Sequence, residues 1–122
     1  MAGNGTTNDS LIPVQVGVSQ NATAIGAGFE STVVLTFDSM VGTAWAWGNN
    51  SNGQLGDGTT TQRTIPVQVS GLSDVTTMAA GAADTVALKV DNTVWGWGNN
   101  LFGQLGDGTN ADKLTPVRAL LP

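Results

Sequence analysis

Short runs in which apolar and polar side chains alternate with a period of two recur along this chain, and no stretch has helical periodicity. In TVALKV, residues 85–90, the alternation puts Val86, Leu88 and Val90 on one face and Thr85, Ala87 and Lys89 on the other. In TVWGWG, residues 93–98, Trp95 and Trp97 share a face and Gly96 lies opposite. VTTMAAG (75–81) and PVQV (66–69) complete a set of four short predicted strands. Asp91-Asn92 supplies the turn between the third and fourth of these elements. Pro66 is expected at the first residue of its strand, where a missing N–H costs least. The small side chains of MAAG imply crowding, as where several sheets converge on an axis.

Every one of these elements has a second copy. ATAIGAG (22–28), TVVLTFD (32–38), TAWAWG (43–48) and PVQV (13–16) match them in order, and PVRA (116–119) is a third copy of the last. WAWGNNSNGQLGDGT, from Trp45, returns as WGWGNNLFGQLGDGT, from Trp95, with only three positions changed. Copies lie 53 residues apart up to Asp38 and 50 apart from Trp45, so the first unit carries three extra residues, expected in a hairpin loop at 39–44. A period of about 50 residues marks stacked β-units that bury their faces against copies of themselves. The expected fold is all-β: four-stranded antiparallel sheets arranged radially as the blades of a β-propeller. The repeat divides the chain into units 1–55 and 56–105 and a partial third, 106–122, whose extra strand could close a ring or join another chain.

The GQLGDGT loops fit this reading. Gly53, Gly56 and Gly58 allow backbone conformations closed to other residues, Leu55 is a lone apolar plug, and Asp57 and Thr59 can hold the loop by local hydrogen bonds. Gln54 completes the signature, and Gly103, Gln104, Leu105 and Gly106 repeat it. The tryptophans are expected between blades, with Trp45 and Trp95 the more deeply buried of each pair.

Charge and composition then exclude several functions. The net charge is −5, and the four basic residues, Arg63, Lys89, Lys113 and Arg118, are too scattered to form a nucleic-acid face. Without histidine, tyrosine or cysteine, acid–base catalysis would fall to shifted carboxylates or two lysines, and no nucleophile–base pair is visible; no enzyme activity, catalytic residue or cofactor is expected. Seventeen glycines and no apolar run of membrane-spanning length argue for a turn-rich soluble protein without a membrane partner. Nothing resembling a signal peptide follows Met1, which implies a cytoplasmic protein or a leader outside this chain.

Other candidate sites yield to simpler readings. Asp57-Gly58-Thr59 and Asp107-Gly108-Thr109 lack the spacing of a calcium loop, so structural turns and no metal are expected. Gly26-Ala27-Gly28 sits in a strand rather than opening a helix, which rejects a phosphate loop. Asn4, Asn8, Asn21 and Asn49 begin glycosylation tripeptides of a kind common by chance in an Asn/Thr-rich chain. Glu30, Asp38 and Asp84 lie near strand ends, where a carboxylate pair would need two of them on one cleft. Positions that differ between copies are free of packing constraint, which makes Ser51, Asn52, Leu101 and Phe102 the candidate partner contacts.

The AAG strand, the T-x-A-L strand, the V-x-x-W-G strand, the G-Q-L-G-x-G loop and the following P-x-x-V together resemble the repeat of the regulator of chromosome condensation family, over nearly the whole chain. That resemblance implies a propeller, usually of seven blades. The histidine that the family commonly carries before T-x-A-L is absent: Ser31 and Asp84 stand there. Two blades cannot close a ring, since propellers need about four to eight. Either three or four chains assemble one, or the chain is a fragment of a larger propeller. The first reading makes it a self-assembling scaffold for protein interactions. The resemblance also implies alternatives, a guanine-nucleotide exchange factor or an inhibitor similar to the type II β-lactamase inhibitor protein; the composition looks bacterial.

Overall fold

The computed structural model describes residues 1–18, 21–38 and 41–122. Among them are eight strands and no helix: β1 (Asn21–Ala27), β2 (Ser31–Asp38), β3 (Val41–Gly48), β4 (Arg63–Gln68), β5 (Val75–Ala80), β6 (Asp84–Lys89), β7 (Val94–Gly98) and β8 (Lys113–Arg118). They form two four-stranded sheets in sequential order, β1-β2-β3-β4 and β5-β6-β7-β8, with every pair antiparallel. Short turns allow neighbours in sequence to pair, which gives each repeat the up-and-down meander of a propeller blade.

Two local expectations need correction. Residues 41–44 are not loop: they belong to β3, and the ladder runs through Phe37↔Gly42 to Asp38↔Val41. The extra residues of the first unit lengthen the β2–β3 ladder, because alternation continues through them; Ser39 and Met40 lie outside the described residues. Pro66 does not open its strand but stands fourth in β4, as Pro116 does in β8. Both prolines fall where the register against the inner strand shifts, on the outer strand of each sheet. A bulge on an edge strand has no ladder bond for the proline nitrogen to supply.

The core lies between the blades. Val33, Leu35, Ala44 and Ala46 on one face of blade 1 cluster with Leu55, Val69, Leu72, Val75, Ala87 and Trp97. Strand β5 runs close across β1, β2 and β3: a Cβ added at Gly28 would collide with the Gly81 carbonyl oxygen, and one at Gly42, in β3, with that of Val75. The crowding expected from the small residues is therefore produced by the backbone of the next blade.

Candidate interaction surface

The blade junction is built on the loop that follows β3. Gly48 leaves the strand at φ +110°, and Asn50, fully buried, then organises the chain from inside. Its Nδ2 donates to the Thr59 and Thr61 carbonyls at 2.9 and 3.0 Å and to Asp57 Oδ1 at 3.1 Å, while its Oδ1 accepts from the Leu55 amide at 3.0 Å. Asp57 Oδ1 also accepts from the amide and hydroxyl of Thr59, and Oδ2 from Arg63 Nε at 2.9 Å. Both carboxylate oxygens are thus occupied by protein donors, as befits a structural turn. Asn100, Asp107, Thr109 and Lys113 repeat the arrangement in blade 2.

These hydrogen bonds govern the carboxyl pKa values. Burial works to raise both groups, but donation from Thr59, Arg63 and Asn50 outweighs it and leaves Asp57 below the usual range. At Asp107 burial is likewise opposed by Thr109, Lys113 and Asn100, and the pKa falls to about 2.

Held this way, the first loop locks blade 2 onto blade 1. The Gln54 carbonyl oxygen accepts from Trp97 Nε1 at 2.9 Å and from Thr85 Oγ1 at 3.0 Å. Gly56, at φ +70°, lies so close under the indole that a Cβ there would meet Trp97 Nε1 at 2.7 Å. The Gly58 amide donates to the Leu114 carbonyl at 2.9 Å. Asn52 reaches Asp112 Oδ2 at 3.0 Å, while Oδ1 of the same aspartate accepts from the Asn100 amide.

Packing reverses the expected order of tryptophan burial. Trp97 is fully buried and Trp47 nearly so, whereas Trp45 and Trp95 are half-buried. The second tryptophan of each pair lies nearer the loop end, beneath a glycine from the preceding segment. Trp45 and Trp95 instead donate to Thr36 and Thr93 hydroxyls, and Lys89 Nζ sits 5.2 Å from the Trp95 ring centroid.

At the far side of blade 2 the same parts stand open. Val86 and Leu88, the counterparts of the fully buried Val33 and Leu35, are only half-buried, and Val90 is 61% exposed. Gln104 and Gly106 are exposed where Gln54 and Gly56 are buried. Of the four candidate contacts, Leu101 and Phe102 are exposed (61% and 87%), Ser51 is exposed, and Asn52 is engaged with Asp112. All four occupy the tips of the two loops, at one end of the blades.

Glu30 and Asp38 do not converge. Glu30 accepts from Asn49 Nδ2 at 2.8 Å beside the start of β2, and Asp38 ends that strand, roughly 25 Å away for extended chain. Among the described residues no cluster of three or more His, Cys, Asp or Glu is placed to hold a metal ion, and no helix is long and apolar enough to cross a membrane.

The likeness of the N-terminal segment to the later loop segments is legible in the sequence, but what it packs against is not. Residues 3–6 cover blade 1 as the first loop covers blade 2: a Cβ on Gly3 (φ +75°) would meet Trp47 Nε1 at 2.7 Å, and the Gly5 amide donates to the Thr64 carbonyl at 2.9 Å. Asn4 Oδ1 accepts from the amide and hydroxyl of Thr6, as Asp57 does from Thr59. The kinship of GNGTT with GDGTT was the available signal, but only the fold shows what it covers.

The Regulator of chromosome condensation (RCC1) repeat matches residues 41–88 and 91–122, and a second model of that repeat matches 75–104. Solved structures agree. Prp20p of Saccharomyces cerevisiae, a protein with binding properties toward Gsp1p and histones, is 30% identical at a TM-score of 0.74, covering 90% of this chain and 26% of its own. Yeast RCC1 (Prp20) bound to Kap60 is 28% identical at a TM-score of 0.72, over 89% of this chain and 25% of that one. Human WBSCR16, at 22% identity and a TM-score of 0.71 over 83% of this chain and 26% of that one, shares the fold. The chain spans about a quarter of the length of each. In sequence signature, blade geometry and structural likeness alike, the chain belongs to the regulator of chromosome condensation repeat family.

Proposed function

We propose that this chain is a non-enzymatic interaction module that binds by continuing its own stack of blades, and that three or four copies close a ring. The observation that carries this reading is the unequal fate of matching residues. Val33 and Leu35 are buried because blade 2 covers them, while Val86 and Leu88 face no blade among the described residues. The natural cover for that face is a surface like the Trp97 side of blade 2, and the Trp47 side of blade 1 is its homologue. One end therefore complements the other, a head-to-tail relation that closes when the rotation per blade permits. Three or four chains give six or eight blades, within the range of closed propellers. The completed end face would then offer Ser51, Asn52, Leu101 and Phe102 to a protein partner.

Native mass spectrometry with light scattering behind size exclusion tests this. A sharp species near three or four times 12.4 kDa is expected, and a monomer at every concentration overturns self-assembly. The second reading, part of a larger propeller, is favoured by the chain spanning a quarter of its neighbours' length. There the missing blades come from the same polypeptide, and the loop tips serve the whole ring. An exchange-factor role would appear as pull-down of a small GTPase, and an inhibitor role as inhibition of a β-lactamase.

A further inference from the structure

Three segments of this chain share one design, and they meet different fates. Residues 56–59 lie on Trp97 of blade 2, residues 3–6 lie on Trp47 of blade 1, and residues 106–109 meet no further blade among the described residues. In a head-to-tail contact between copies, residues 106–109 of one would need the Trp47 groove of the next. That groove is occupied by its own residues 3–6. We propose that residues 3–6 are a built-in placeholder which a second copy's loop must displace, so that the N-terminal segment limits self-association. This inference rests on the self-association reading above.

The occupant is a weaker version of the loop it stands for. Aligned on the glycines, Ala2 takes the position of the plugs Leu55 and Leu105, and Asn4 that of Asp57 and Asp107. Ser10 stands where Arg63 and Lys113 pair with those aspartates, so the segment lacks the ion pair that ties each loop to its own outer strand. Among the described residues it also forms no strand: residues 10–15, the counterpart of β4 and β8, are largely exposed. The 106–109 loop is by contrast fixed by Asn100, Leu105 and the Asp107–Lys113 pair, and β8 is laddered to β7. Its Gln104 carbonyl would meet Trp47 Nε1 and Thr32 Oγ1 as that of Gln54 meets Trp97 and Thr85. A preformed loop with an apolar plug should therefore replace an unplugged, unladdered segment.

The opposite arrangement is the competing outcome. The N-terminal segment could stay on its own Trp47 and pair with the preceding copy's β7 in place of β8. It would then be a bridge, and its removal would weaken association. The two arrangements predict opposite signs, so one experiment separates them.

Sedimentation velocity over a concentration series would compare the full chain, a chain lacking residues 2–9, and Gly3→Val. The valine keeps the chain length but cannot fit under the Trp47 indole, which guards against a deletion that merely misfolds. If the segment fills the groove in about nine molecules of ten, emptying it lowers the apparent Kd about tenfold. The expected result is tighter association in both variants, by about that factor, and loss of the gain when Gly106→Val is added to either. Equal Kd values in all three proteins, or weaker association on deletion, overturn the placeholder and leave self-association standing. If all three remain monomeric, the self-association reading falls, and the placeholder with it.

Discussion

Gly56 and Gly106 are the same residue of the same loop at φ +70° and +67°, and only one lies beneath another blade. Replacing each by alanine separates backbone strain from blade packing. The left-handed conformation costs an L-residue about 1–2 kcal/mol, and that cost is common to both variants. At Gly56 the new methyl would also lie 2.7 Å from Trp97 Nε1 and 2.9 Å from Val69 Cγ1, an overpacking of the core worth about 1–3 kcal/mol more. At Gly106 its nearest neighbour is the Ala119 Cβ at 3.6 Å, an ordinary contact. Urea unfolding followed by tryptophan fluorescence should therefore place Gly106→Ala about 1–2 kcal/mol below the parent and Gly56→Ala about 2–5 kcal/mol below it. Equal losses in the two variants, measured where the protein is monomeric, would refute the claim that the first loop locks the blades. On the head-to-tail stacking proposed above, the Gly106→Ala cost should grow with protein concentration, since that glycine would then lie against a second copy's Trp47.

Leu55→Ala empties a fully buried site between the blades and should cost about 2–5 kcal/mol in the same assay; a loss below about 1 kcal/mol would mean that the loop does not plug the core. Thr85→Val removes one donor to the Gln54 carbonyl but leaves Trp97 Nε1 in place, so about 0.5–1.5 kcal/mol should be lost. A much larger loss would show that the indole cannot satisfy that oxygen alone. For pH, Asp57 and Asp107 both titrate below the ordinary 3.8 when folded. The charged carboxylates therefore contribute stability that is fully present above about pH 4 and is lost as pH falls, toward about 2 for Asp107. Thermal melts should be flat from neutrality to about pH 4 and then decline, less steeply in Asp107→Asn; a decline beginning near pH 6 would contradict this assignment.

Strand identity was legible because alternation in segments such as TVALKV is a local property of the pleat, and duplication confirmed each element independently. The glycines of the loops were legible for a similar reason, since a positive φ leaves its mark on residue choice. Tryptophan burial was not. Trp45 and Trp47 share a face, and a period of two cannot tell which of them lies under a neighbouring segment. Nor could proline placement be read from local preference, because the bulge that accommodates Pro66 depends on β3 beside it.

The sequence by itself determined the repeat, the all-β class, the four-strand blade and the family, since each is written in short-range pattern and its recurrence. Tertiary structure decided which face of each blade is covered. Val33 and Val86 occupy the same position in the same strand, yet one is fully buried and the other only half-buried. Burial depends on what lies across the sheet, from residues far along the chain, and no local pattern records it. For the same reason only the fold shows residues 3–6 lying on Trp47 in the way that residues 56–59 lie on Trp97.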